Sequence, residues 1–200
     1  EAAARLSTNN SPRSNVIHQT KFYHHYMPGK SQLIYSSFNF QNHTANVIKR
    51  TGYFDDNDGI FFEQAGDGTL TWVVRSYVTG SPVERRVTQT NWSADVCDGS
   101  GASGFDIDIS KTQLIFIDFQ WLGVGKVRCG FVHDGVPVIA HEFNNSNNLP
   151  TVYMSNPNLP VRCEMRNQGI TNGAYFDQIC STVMSEGGYI EAGQDWGATT

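Results

Sequence analysis

Charge is scarce in this chain. Of its 200 residues 16% are charged, with 14 Lys and Arg against 19 Asp and Glu, a net charge of −5. No basic stripe is present to neutralise a phosphate backbone, so nucleic acid is not an expected partner. A run of roughly 18 or more apolar residues is also missing, and no segment reads as a membrane-spanning helix. There is no secretory leader pattern. The chain opens at Glu1 and both ends are polar, so it reads as a segment of a longer protein. None of the 4 cysteines forms a Cys-x-x-Cys pair, which removes the usual zinc-ribbon and redox spacings. Cys129 and Cys163 each follow Val-Arg in apolar runs and are expected to be buried thiols. A disulfide among Cys97, Cys129, Cys163 and Cys180 stays open as the alternative.

What is abundant is turn chemistry between short apolar runs. Glycine numbers 19, and Asn, Ser and Thr are frequent, a mix that suits loops between strands better than helices. Residues 1–20 are polar, with Pro12, and read as a flexible arm or linker. From residue 21 to 200 a single domain is expected. Gln32 to Phe40 is rich in aromatic and β-branched types, and Leu70, Trp72 and Val74 alternate with Thr71, Val73 and Arg75, the period of a half-buried strand. Further strands are expected at Val83–Gln89, Phe105–Ile109, Gln113–Leu122 (placed centrally), Val124–His133, Val136–Phe143 and Val161–Arg166. Residues 176–184 favour a strand over a short helix. Asp134-Gly135 is a two-residue hairpin signal. Short strands about every ten residues imply an all-β chain, a jelly-roll or concanavalin-like β-sandwich.

Catalytic constellations are hard to find. Glycosidases on such sandwiches carry carboxylates at alternate positions of one strand. Retaining chemistry needs two of them about 5–5.5 Å apart. The strand from Phe116 to Leu122 has only Asp118, because Phe116 and Gln120 hold the other acid positions. Asp106 and Asp108 share a face but lie beside the glycine-rich loop 99–104. That loop lacks the Lys and helix of a phosphate loop, and Ser103 is not in a Gly-x-Ser-x-Gly elbow. His24, His25, His133 and His141 have no ligand partners at metal spacing. The cluster Asp55–Gly59 misses the calcium-loop register and reads as a turn. No catalytic residue, cofactor or metal is therefore expected. Asn42, Asn91 and Asn144 begin glycosylation sequons. Trp72 and Trp121 are expected in the core, whereas Trp92 and Trp196 fall in polar loops and are expected to be exposed or interfacial.

The run Asp118-Phe119-Gln120-Trp121-Leu122-Gly123-Val124-Gly125-Lys126-Val127-Arg128-Cys129-Gly130-Phe131 resembles uncharacterised virion structural proteins of marine tailed phages and large DNA viruses. The likeness continues at His141-Glu142-Phe143, at Met154 to Arg162, and at Tyr26 to Ser31, Arg50 to Asp55 and Glu186 to Tyr189. It implies a location in the virion and a role in a capsid, vertex or tail assembly, with other virion proteins and copies of itself as partners. It carries no catalytic residues. The alternative is a carbohydrate-binding module that meets a host-surface glycan on an exposed aromatic platform. Contact residues expected on either reading are Trp92, Arg128 and Arg162.

Overall fold

Burial along Gln32–Asn39 alternates between buried and half-buried at every step, as it does when one strand face meets a core and the other does not. That pattern organises the computed structural model, which describes residues 2–171 and 173–186. In chain order the strands are β1 (Ala4–Thr8), β2 (Asn15–Gln19), β3 (Gln32–Asn39), β4 (Val47–Phe54), β5 (Gly59–Gln64), β6 (Leu70–Ser76), β7 (Val83–Thr88), β8 (Gln113–Phe119), β9 (Val127–His133), β10 (Val136–Phe143), β11 (Val161–Asn167) and β12 (Ala174–Ser185). They form two six-stranded sheets, β1-β12-β3-β8-β9-β10 and β2-β11-β4-β5-β6-β7. Every pairing is antiparallel. The chain is an all-β sandwich.

Between the sheets lies an aromatic core. Phe40 and Phe62 stack at 5.9 Å, and Phe131 meets Phe62 edge-on at 5.3 Å and Trp72 at 5.8 Å. These rings come from both sheets, so burying them joins the layers. The β9–β10 hairpin turns at Asp134 and Gly135 with φ of 51° and 79°. Two successive positive φ values make the tight primed turn that an Asp-Gly pair favours. Cys97, Cys129 and Cys163 are buried, Cys180 is exposed, and all are free thiols.

Three stretches differ from the sequence reading. Within the segment expected as a flexible arm, Ala4–Thr8 and Asn15–Gln19 are strands: β1 pairs with β12 and β2 with β11. A strand edge recruits backbone, so a polar segment is ordered once a partner edge is beside it, and Leu6 is buried inward. Phe105–Ile109 makes one isolated bridge, Asp98 to Asp106, and no strand. Conversely, β4 is an interior strand of the second sheet although Lys49, Arg50 and Gly52 interrupt its apolar pattern. Lys49 is fully enclosed between the sheets, donating to the Phe40 carbonyl and, at 2.8 Å, to that of Asn42.

Candidate functional site on the outer face of the second sheet

Strands β4, β5 and β6 are buried on both faces almost throughout. Their outward residues Phe54, Phe61 and Val73 form a separate small apolar cluster. Arginines cover it. The Arg75 guanidinium lies 4.9 Å from the Phe61 ring, Arg50 lies 5.3 Å from it, and Arg162 lies 5.4 Å from the Phe54 ring. Planar guanidinium groups suit this position because they stack on a ring while their edges stay available to carboxylates.

Register places those carboxylates. One cross-strand row runs Glu164, Arg50, Glu63, Thr71, Thr88, and the next runs Arg162, Gly52, Phe61, Val73, Arg86. Arg50 therefore sits between two glutamates, reaching Glu63 at 2.7 Å and Glu164 at 3.2 Å. Arg162 holds Glu164 at 3.0 Å and Asp56 at 2.9 Å. Arg86 contacts Glu63 and lies 2.5 Å from Glu84, which also binds Arg75 at 2.8 Å. Burial alone would raise the Glu84 carboxyl, but hydrogen bonds from Arg75 and Arg86 and the charges of Arg75 and Arg50 outweigh it and hold the group below its ordinary value. Gly52 keeps the centre of the face low: a Cβ there would lie 2.5 Å from the Ile60 carbonyl oxygen.

The β4–β5 turn forms one rim and is firmly held. Asp55 accepts the Asn57 and Asp58 amides at 2.8 and 2.9 Å, and Arg75 donates to the Asp55 carbonyl at 2.6 Å. Asp58 is buried and accepts the amides of Tyr77 at 3.1 Å and Ser155 at 2.7 Å. The Asp56 side chain remains 84% exposed even though it meets Arg162. Two cavities share Asp56 and Arg162. One, of about 270 Å³, is lined by Asn15, Arg50, Arg75, Glu84, Glu164 and Arg166 in addition to that pair. The other, of about 260 Å³, is lined by Ile17, Gln19, Tyr23, Asp55 and Asn57 with them. Tyr23 is 48% exposed.

The structure does not bring the expected contact residues together. Arg162 is in this site. Arg128 is on the outer face of the first sheet, paired with Asp118 across β8 and β9, as expected for a carboxylate partner at a sheet surface. Trp92 is not an exposed platform: it is 5% exposed, packs 5.9 Å from Phe131 and donates its indole N–H to the Val87 carbonyl at 3.1 Å. Its polar flanking residues face outward while the ring closes the sandwich. Trp196 and residues 187–189 of the virion-like pattern lie outside the described residues. The sequon asparagines Asn42, Asn91 and Asn144 are exposed. Sequence reasoning missed Arg50, Glu63, Glu84, Arg166 and Tyr23, and the wall supplied by β2. The one local signal was the charged–apolar alternation of Val161-Arg162-Cys163-Glu164 and Val83-Glu84.

No protein-family model and no curated protein matches the chain. Solved structures do. A legume lectin-like domain from Entamoeba histolytica aligns over 94% of this chain and 85% of its own, with a TM-score of 0.51 and 10% identity. The two share a β-sandwich architecture. A glycosyl hydrolase family protein from Mycobacterium fortuitum covers 90% of this chain and 74% of its own at a TM-score of 0.55 and 10% identity. A Bacteroides ovatus mixed-linkage-glucan GH16 structure with bound product covers 91% and 81% at a TM-score of 0.50 and 8% identity. At these identities the likeness is one of architecture, which hosts more than one activity.

Proposed function

We propose that this domain binds carbohydrate in the paired cavities on the outer face of the second sheet. The observation that carries the reading is the cavity in which the exposed Tyr23 meets Gln19, Asp55, Asp56 and Asn57. A pyranose has an apolar C–H face that packs on an aromatic ring and hydroxyls that pair with carboxylates and amides, so this lining matches it chemically. The turn that carries three of those groups is held by the hydrogen bonds of Asp55, Asp58 and Arg75, which limits the ordering cost of binding. The likeness to a legume lectin-like domain supports the same reading.

Binding without hydrolysis fits the glutamates. Glu63, Glu84 and Glu164 each meet two guanidinium groups. A glycosidase acid must instead hold a proton at working pH, with a second carboxylate across the scissile bond. The test is a glycan-array screen followed by Tyr23→Ala and Asn57→Ala. Binding that both variants weaken is the expected result. A hit that neither variant affects, or cleavage of a bound oligosaccharide, would overturn it.

The virion resemblance adds a setting, in which the glycan belongs to a host surface. A second reading, a subunit contact within a particle, has one feature in its favour. The outer face of the first sheet has an apolar hollow of about 270 Å³ lined by Leu33, Tyr35, Phe116, Pro137 and Ile139, with the Asp118–Arg128 pair at its side. Light scattering after size-exclusion chromatography decides it: a defined oligomer disrupted by Ile139→Glu supports the contact, and a monomer at all concentrations rejects it.

A further inference from the structure

The two cavities differ in charge. In the first, four guanidinium groups (Arg50, Arg75, Arg162, Arg166) face three carboxylates (Asp56, Glu84, Glu164). Arg50, Arg75 and Arg162 are paired within the network. Arg166 is exposed and has no carboxylate partner among the described residues; its neighbour across β2 and β11 is Asn15. Arg162 is 4% exposed, yet its Nε–H has no hydrogen-bond acceptor among the described residues, an unusual state for a buried charged group. The cavity thus has one positive charge and several N–H donors in excess. The second cavity shares Asp56 and Arg162 with the first, adds Asp55, and has no further cation among the described residues.

We infer that the ligand is an acidic oligosaccharide, with a carboxylate-bearing sugar in the arginine cavity and a neutral sugar against Tyr23. The inference rests on the carbohydrate reading above. A carboxylate is planar and takes two parallel N–H bonds from a guanidinium, a geometry that Arg166 offers at the cavity mouth. Its charge balances the fourth arginine. At about 270 and 260 Å³, each cavity lies at the small end of ligand sites, the scale of a single sugar unit. Asp56, shared by both and 84% exposed, lies where hydroxyls of the two sugars meet.

Isothermal titration calorimetry with oligogalacturonates and sialyl-oligosaccharides, each beside its carboxyl methyl ester, tests this. The expected result is binding of an acid form at least about tenfold tighter than its ester, the scale of a charge-assisted hydrogen bond. The preference should shrink as salt rises from roughly 50 to 500 mM, and Arg166→Gln should abolish it. Arg166 is exposed, so that variant tests the site with little risk to the fold, whereas Arg162→Gln disturbs the network. Equal affinity for acid and ester, or an acid preference that survives Arg166→Gln, overturns the inference. If neutral glycans bind through Tyr23 with no acid preference, the carbohydrate reading stands and only the acidic ligand fails. If no glycan of either kind binds, both fail.

Discussion

The buried ionisable groups predict an unusual alkaline stability profile. Cys129 and Cys163 are fully enclosed; burial pushes both thiols up, Cys163 to about 12 despite its hydrogen bond with Thr51. Burial and the nearby Asp95 raise Cys97 to about 12 as well. Lys49 acts in the opposite direction: burial brings its ammonium down from 10.5 to about 8. Below pH 8 none of these groups changes the balance. Between pH 8 and 9 the native Lys49 has shed a proton that the unfolded chain still holds, so stability rises with pH. Above 9.0, the ordinary thiol value, the unfolded chain sheds thiol protons that the native state keeps, and stability falls. Each proton of difference is worth about 1.4 kcal/mol per pH unit. Cys129 and Cys163 set against Lys49 leave one net proton, and Cys97, nearer the surface, adds up to one more. Stability should therefore peak near pH 9 and then decline by roughly 1.4–2.7 kcal/mol per pH unit towards pH 10, where the buried Tyr26, Tyr53 and Tyr153 hydroxyls, all raised from 10.0 by burial, begin to steepen the fall. Urea unfolding in reductant at half-unit steps from pH 7.5 to 10.5 reads this directly. Lys49→Met should remove the rise, and Cys129→Ala should lessen the fall by one proton's worth. A profile that is flat or still climbing above pH 9 would refute the reasoning.

Other consequences follow from named contacts. Arg50→Met leaves Glu63 and Glu164 buried with one guanidinium each and should cost about 3 kcal/mol in urea unfolding, the low end for breaking a buried ion pair. Gly52→Ala sets a Cβ against the Ile60 carbonyl and the Phe61 backbone, which have little room to yield, and should cost about 1–3 kcal/mol by the same assay. Trp92→Ala should cost about 3–5 kcal/mol as a core deletion while leaving glycan specificity unchanged in any protein that stays folded. Removal of residues 1–20 should expose the edges of β11 and β12 and take away the Gln19 wall. Light scattering should then show association of the shortened chain, and glycan binding should be lost.

Much of the fold was legible because its signals are local. Leu70, Trp72 and Val74 alternate with their neighbours, and β6 spans Leu70–Ser76. Asp134-Gly135 marked the β9–β10 hairpin, and Gln113 onward became β8, an interior strand of the first sheet. The candidate site was not legible. Its central strand, β4, carries Lys49, Arg50 and Gly52 where a strand reading expects apolar residues. Each is explained only by a neighbour: the Phe40 and Asn42 carbonyls for Lys49, the flanking glutamates for Arg50, the Phe61 backbone for Gly52. Trp92 was misplaced for a related reason, since polar neighbours in sequence do not say where a ring points.

The all-β class of structure is set locally: period-two apolar runs separated by Gly, Asn and Asp turns make a chain of short strands, because both signals act within a few residues. Tertiary structure alone decided which strands became neighbours, and hence the site. Arg50 meets Glu63 from 13 residues away and Glu164 from 114, while Gln19 and Tyr23 join Asp55 and Arg162 in one cavity. Cross-strand register fixes such meetings through the packing of the whole sheet, and no short stretch of chain contains that information.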